Sequence, residues 1–301
     1  MKTRIITGIC IAAVLVPILL CTTMFQFIVF SGILAFIASF EMLNLFKAKK
    51  EISLFAKGST VFLTLLNFAA LSFVWYYSFS GDITKGATLV MLSAAGVVSL
   101  FNMLFIGLLL VFDKKFDSEV AGRTFLTISY VAVGFAAMGV LRTFGRGMII
   151  YLFIVACFTD IFAYAVGMNF GKHKMAPTIS PKKSWEGSIG GTIIATIIAS
   201  LFALNYKSWF GFVDDTAGRT IISNFTDLSQ TVEIIVIVCL TVFTSILGQI
   251  GDLVASKMKR DNDIKDYGNL FPGHGGVLDR FDSSLYVSLF LTIVCAILKA
   301  M

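Results

Sequence analysis

Nine apolar runs, each about as long as a bilayer-crossing helix needs to be, constrain this chain more than any other feature. They fall at about 5–20, 24–46, 58–79, 86–112, 125–141, 148–170, 187–204, 232–252 and 283–299. In hydrocarbon a backbone must satisfy its own hydrogen bonds, and continuous apolar runs of this length do so as helices. The expected fold is therefore all-α: a polytopic integral membrane protein with about nine transmembrane helices. Of its 301 residues 57% are apolar and 14% charged, and thirty phenylalanines against four prolines fit long unbroken helices. The first run follows Lys2 and Arg4 as in a secretory signal, but no small-residue cleavage site comes after it. Leu20 before Cys21 is also a poor lipoprotein-type processing site, so the run is expected to be retained as a helix, in a tight hairpin with the second.

Basic residues report orientation through their excess on the cytoplasmic side. With the N-terminus inside, eighteen Lys and Arg fall inside: Lys2, Arg4, Lys47, Lys49, Lys50, Lys57, Lys114, Lys115, Arg123, Lys172, Lys174, Lys182, Lys183, Lys257, Lys259, Arg260, Lys265 and Arg280. Six fall outside: Lys85, Arg142, Arg146, Lys207, Arg219 and Lys299. The expected topology is N-in and C-out. The net charge of +6 is explained by this bias, and no basic patch free of membrane spans exists to bind nucleic acid. Cys10, Cys21, Cys157, Cys239 and Cys295 all sit in apolar runs without CxxC spacing, which argues against a disulfide framework and a zinc site.

No repeat, low-complexity tract or soluble linker divides the chain, but charge does. Apart from Glu41, the first five runs carry almost no charge at membrane depth, whereas Asp160, Asp252, Asp279 and Asp282 fall in the C-terminal half. Such charges are costly and are usually kept for function. Residues 1–145 therefore read as a scaffold of about five helices, and 146–301 as the site-bearing region, with cytoplasmic loops at 171–187 and 253–282.

Residues 252–282 hold five Lys or Arg, six Asp and one of the two histidines, a run that no lipid-facing helix could contain. Asp279 and Asp282 stand three apart where an apolar helix begins, so both leave one face of its first turn, as a hard divalent cation would need. Before them, Pro272-Gly273-His274-Gly275-Gly276 cannot be helical and can approach a ligand closely, in the manner of a phosphate cradle. Upstream, Asp252, Ser256 and Lys259 or Arg260 recur at helical spacing; snorkelling explains Lys257 and Lys259 but not Asp252. In the other loop, Ser180-Pro181 sets extended backbone, and Lys182, Lys183 and Ser184 precede a helix opening near Trp185. Cations, a hydroxyl and free N–H groups make an anion site, against the plainer reading of an ordinary positive-inside loop. Asp160, flanked by Thr159 and Tyr164, reads as a substrate or metal contact.

These residues carry a resemblance. Ser256-x-x-Lys259-Arg260, Lys265-Asp266-x-Gly268 and Phe271-Pro272-x-His274-Gly275-Gly276-x-x-Asp279-Arg280-x-Asp282 together resemble the signature of the phosphatidate cytidylyltransferases, or CDP-diacylglycerol synthases. The likeness extends upstream to Asp160-x-x-Ala163-Tyr164-x-x-Gly167 and to Ser180-Pro181-Lys182-Lys183-Ser184-x-Glu186-Gly187. One position departs: Ile161 and Phe162 follow Asp160 where many bacterial members have a small residue and glycine. The resemblance implies transfer of CMP from CTP to phosphatidate, releasing pyrophosphate, with Mg²⁺ on Asp252, Asp279 and Asp282. It also implies that Lys259, Arg260, Lys265 and Arg280 neutralise the triphosphate and that Asp266 and His274 belong to the same catalytic stretch. The loop around Gly273, Gly275 and Gly276 would offer N–H groups, and Ser256 would hydrogen-bond a phosphate oxygen. Ser180, Lys182, Lys183 and Ser184 would form a second phosphate clamp. A monovalent cation beside Mg²⁺ and a homodimer stay open. The bilayer is a further partner, and the implied location is the inner or plasma membrane of a bacterial cell, with the site facing the cytoplasm. A secondary transporter would predict repeats and paired broken helices, and a CDP-alcohol phosphotransferase a DG-x-x-AR pattern. Neither is found.

Overall fold

The computed structural model describes residues 2–47, 52–80, 85–211 and 218–300. Lys49 and Lys50, which count toward the orientation bias, lie outside the described residues, as do residues 212–217 of the loop that follows α9. The helices are α1 (Lys2–Cys21), α2 (Met24–Lys47), α3 (Leu54–Ser80), α4 (Lys85–Phe112), α5 (Ser118–Thr127), α6 (Val133–Leu141), α7 (Arg146–Phe170), α8 (Trp185–Leu204), α9 (Tyr206–Phe210), α10 (Gln230–Asp261) and α11 (Leu278–Ala300). The protein is an all-α polytopic membrane protein with one small addition, an antiparallel hairpin of β1 (Lys174–Ala176) and β2 (Ser180–Ser184). Its register pairs Lys174 with Ser184 and Ala176 with Ser180.

Among the described residues seven helices are long and apolar enough to cross a membrane: Met24–Leu45, Leu54–Phe79, Ser118–Phe144, Arg146–Phe170, Trp185–Leu204, Gln230–Asp261 and Leu278–Ala300. The first and fourth expected runs fall on α1 and α4, within which Thr7–Cys21 and Gly96–Phe112 are the apolar stretches whose side chains are described. Two boundaries moved for physical reasons. The fifth helix starts at Ser118, seven residues before its apolar run, because Asp117 caps it by accepting from Val120 N at 3.0 Å. The eighth runs on to Asp261 without a break. At 1.5 Å per residue its 32 residues span about 48 Å, well beyond a hydrocarbon core of about 30 Å. Lys257, Lys259, Arg260 and Asp261 gather in its last turns.

The chain forms two compact units. The first comprises Met1–Ile11, Thr23–Thr143 and Asp261–Arg280. Here α2, α3, α4 and the α5–α6 helix pack together, with a π-helical turn at Ile128–Ala132 joining α5 to α6. Several polar groups in this apolar core are satisfied between helices. Ser31 donates to Phe135 O at 2.6 Å, Thr60 and Thr124 hydroxyls meet at 3.3 Å, and the Asn67 and Asn102 amides exchange hydrogen bonds of 3.0 and 2.9 Å. Ser53 caps α3 through Ala56 N and donates to Asp113, holding that exposed carboxyl below the usual range.

The second unit comprises Ala12–Thr22, Phe144–Arg260 and Phe281–Met301. Its core is the α7–α8 pair, whose backbones touch through small residues. A Cβ on Gly187 would lie 2.5 Å from Ala163 O, and one on Gly191 would lie 2.7 Å from Ala163 N. Beside this pair α10 lays down a buried polar stripe. Thr241 meets Tyr151 (2.7 Å) and Ser200 (3.3 Å), Ser245 meets Thr159 (2.8 Å) and Thr192 (3.1 Å), and Gln249 reaches Thr192 at 2.8 Å. The stripe ends at Asp252.

Candidate active site

In the second unit a cavity of about 240 Å³ is lined by Asp160, Tyr164, Ser180, Lys182, Lys183, Ser184, Gln249 and Asp252, among others. Three helices and the hairpin frame it. Glu186, in the first turn of α8, ties the hairpin down: its carboxylate accepts from Lys172 N (3.1 Å), His173 N (3.2 Å) and the His173 ring (2.6 Å). Ser184 is the N-cap of α8, accepting from Gly187 N at 3.2 Å, and is buried. Its expected part in an anion site is thus joined by a capping role. Lys183 points inward and pairs with Asp252 at 2.5 Å, while Lys182 is exposed at the cavity wall.

Asp252 is the hub of this unit. Ser256, one turn on, donates to its other oxygen at 3.4 Å. On α11, Asp282 is buried, accepts from Ser283 N at 2.8 Å, and feels the charges of Asp252, Lys259 and Asp160. Gly251 makes this closeness feasible: a Cβ there would lie 3.0 Å from Asp282 O and 2.9 Å from the Tyr286 ring. Lys259 is buried, and Arg260 donates to Ile179 O at 3.4 Å, linking the end of α10 to the hairpin turn. The second unit thus gathers Asp160, Ser180, Lys182, Lys183, Ser184, Asp252, Ser256, Lys259, Arg260 and Asp282.

The first unit holds the glycine-rich loop. Phe271 N donates to Gly275 O and His274 N to Phe271 O, both at 2.8 Å, closing a tight turn. Gly273 (φ 76°) and Gly275 (φ 83°) occupy the left-handed region this turn needs. Asp279 Oδ2 accepts from Tyr267 N (2.7 Å) and Gly276 N (2.9 Å), so it braces the loop from the first turn of α11. Thr7, on α1, donates to Pro272 O at 3.0 Å. At the tip of this turn the Gly273 and Gly275 N–H groups carry no hydrogen bond among the described residues. Gly276 N–H, expected to face a ligand, is instead spent on Asp279. His274 Nδ1 is buried without a hydrogen-bond partner among the described residues. Lys265, Asp266 and Arg280 are exposed.

Sequence reasoning assigned no role to three contributors. Gln249 lines the cavity and is held by Thr192, Glu186 anchors the hairpin, and Glu41 accepts from Val277 N and Leu278 N. Glu41 had given a signal as a carboxylate at membrane depth, and Glu186 as a position of the upstream motif; Gln249 had given none.

Fold and site define an integral membrane protein with a mixed-charge polar cavity between apolar helices and a separate glycine-rich turn. The chain belongs to the cytidylyltransferase family, whose model matches residues 2–298. It is 31% identical over 303 residues to the phosphatidate cytidylyltransferase of Bacillus subtilis (strain 168), covering 99% of this chain and 98% of that one. It is 32% identical to the protein of the same name from Staphylococcus haemolyticus and 33% to that of Staphylococcus aureus (strain COL), with 98% of each chain covered in both cases.

Proposed function

We propose that this protein transfers CMP from CTP to phosphatidate, forming CDP-diacylglycerol and pyrophosphate. The observation that carries this is the clustering of Asp252, Asp282 and Asp160 with Lys183 and Lys259 at a polar cavity of about 240 Å³ lined by Asp160, Lys183 and Asp252. The family match supports it and does not favour a transporter or another headgroup transferase.

The chemistry fits these residues. One oxygen of the phosphatidate phosphate bonds to the α-phosphorus of CTP as the bond from that phosphorus to the bridging oxygen breaks, and pyrophosphate leaves. The nucleophile is already ionised at neutral pH, so the protein need not supply a strong base. It must bring two polyanions together and stabilise charge on the leaving group. The family resemblance assigns the triphosphate to Lys259, Arg260, Lys265 and Arg280, together with the Gly273 and Gly275 N–H groups and His274. The Ser180–Ser184 strand is the second phosphate clamp. Residues 146–301 carry most of these groups on a scaffold formed by 1–145.

A divalent cation fits the donor set. Carboxylate oxygens are hard ligands, and the mutual repulsion of Asp282, Asp252 and Asp160 is what such an ion would relieve. Among the described residues no group of three or more His, Cys, Asp or Glu side chains could hold a metal ion. Mg²⁺ is usually held by one or two carboxylates with substrate phosphates completing its shell. Asp252 and Asp282 are the proposed ligands, and the family resemblance adds Asp279, three residues earlier on α11. When bound, Mg²⁺ would neutralise phosphate oxygens.

The charge bias supports nine spans with the N-terminus inside, in the plasma membrane of a bacterial cell, with the site open to cytoplasmic CTP. The deciding experiment incubates the purified full-length protein with CTP labelled at the α-phosphorus, phosphatidate and Mg²⁺. Label should enter a chloroform-soluble product only when all three are present. Label that stays in the aqueous phase would refute the proposal.

A further inference from the structure

The start of α11 lacks a cap of its own. The residue preceding the helix is Val277, whose side chain accepts nothing, yet the first N–H groups of a helix need acceptors. Both are supplied from α2: Glu41 Oε1 accepts from Val277 N and Glu41 Oε2 from Leu278 N, each at 2.9 Å. Glu41 is only 6% exposed, and its negative charge sits at the positive end of the helix.

The loop is shaped around this carboxylate. A Cβ on Gly276 would lie 2.2 Å from Glu41 Oε1, and one on Gly268 would lie 2.6 Å from the same atom. Neither glycine is at positive φ, so their backbones would accept alanine. Space for Glu41 is what requires glycine at both positions. Glu41 and Asp279 between them take the N–H groups of Tyr267, Gly276, Val277 and Leu278. The N–H groups of Gly273 and Gly275 at the tip of the turn are not spent in this way.

We propose that Glu41 is a positioning residue: it holds the 268–278 loop and the first turn of α11 in the conformation that receives the CTP phosphates. This rests on the cytidylyltransferase reading above. It assigns the N-terminal region a part in nucleotide binding, with no contact to substrate by Glu41 itself.

The test uses full-length protein in lipid–detergent micelles, with KM measured separately for CTP and phosphatidate, and thermal unfolding measured in parallel. In Glu41→Gln one acceptor becomes an NH₂ donor facing an N–H. The KM for CTP should rise about ten-fold or more, the loss expected when one charge-assisted hydrogen bond is removed. The KM for phosphatidate should stay near that of the wild type, and the unfolding midpoint should fall by only a few degrees. Gly276→Ala, whose methyl would strike Glu41 Oε1, should likewise raise the KM for CTP more than that for phosphatidate. Two results overturn the inference: Glu41→Gln kinetics that match wild type, or a loss in Glu41→Gln that lowers kcat, raises both KM values alike and lowers the unfolding midpoint sharply. Wild-type turnover in the same assay tests the reaction itself, so these failures alongside an active wild type would count against Glu41 alone.

Discussion

Asp252→Asn separates a catalytic from a structural role for the hub carboxylate. The substitution keeps volume and removes one charge. The Lys183–Asp252 pair is 24% and 25% exposed, between a surface pair worth about 0.2–1 kcal/mol and a buried one whose rupture costs about 3–5 kcal/mol. Allowing for solvent screening, its loss should cost about 1–2 kcal/mol. Part of that is returned, because Asp282 loses a like-charged neighbour. The net stability change should therefore be small. Catalysis should suffer more: removing one preorganised electrostatic group at a reacting phosphate typically costs about 10²–10³ in rate. The assay follows CDP-diacylglycerol formation against Mg²⁺ concentration, with thermal unfolding measured on the same preparations. Turnover should collapse, the Mg²⁺ needed for half-maximal rate should rise, and the unfolding midpoint should move by only a few degrees. Near-normal turnover, or clear destabilisation with unchanged Mg²⁺ dependence, would refute the reasoning.

Lys259→Gln should raise the KM for CTP about ten-fold while the protein still extracts normally; unchanged CTP kinetics would mean that the end of α10 serves another ligand. Gly275→Ala forces a side chain at φ 83° and puts its Cβ 2.7 Å from Asp279 Oδ2, so activity should fall sharply, and a fully active variant would show that the turn is not needed. Gly191→Val drives a branched side chain into the α7 backbone and should destabilise by about 1–3 kcal/mol or more, read as a lower unfolding midpoint. Cysteines at Lys174 and Ser208 should label from opposite membrane faces; labelling from one face would remove the nine-span topology.

Hydropathy located the apolar helices because lipid exposure leaves a long, unmistakable run. It misplaced the start at Ser118 because that turn is polar, with Glu119 and Arg123 paired at 2.5 Å, and is fixed by Asp117. The hairpin was legible only as extended backbone at Ser180-Pro181, since strands of three and five residues are too short to show a period. The Asp252–Ser256–Lys259 stripe was readable from helical spacing. Its neighbour Asp282 was found as a residue, but what draws it to Asp252 is the missing side chain of Gly251, and sequence spacing does not reveal which glycines mark close approaches. Gln249 looked like any polar residue near a helix end, and only its bond to Thr192 shows why it is held there. Glu41 was visible as an anomaly whose partner, over two hundred residues away, only the fold supplies.

The length of α10 has a consequence for how a lipid substrate is handled. A helix about 48 Å long outreaches the hydrocarbon core, and on the proposed reading its polar end, with Asp252, Ser256 and Lys259, stands at the level of the lipid phosphates. Withdrawing a phospholipid from the bilayer exposes its chains to water at about 0.8 kcal/mol per CH₂, on the order of tens of kcal/mol for two long chains. A site at headgroup level avoids that penalty, because the acyl chains never leave their solvent. Only the phosphate has to move, by sliding laterally, and substrate capture becomes a two-dimensional search whose rate depends on the surface density of phosphatidate in the membrane.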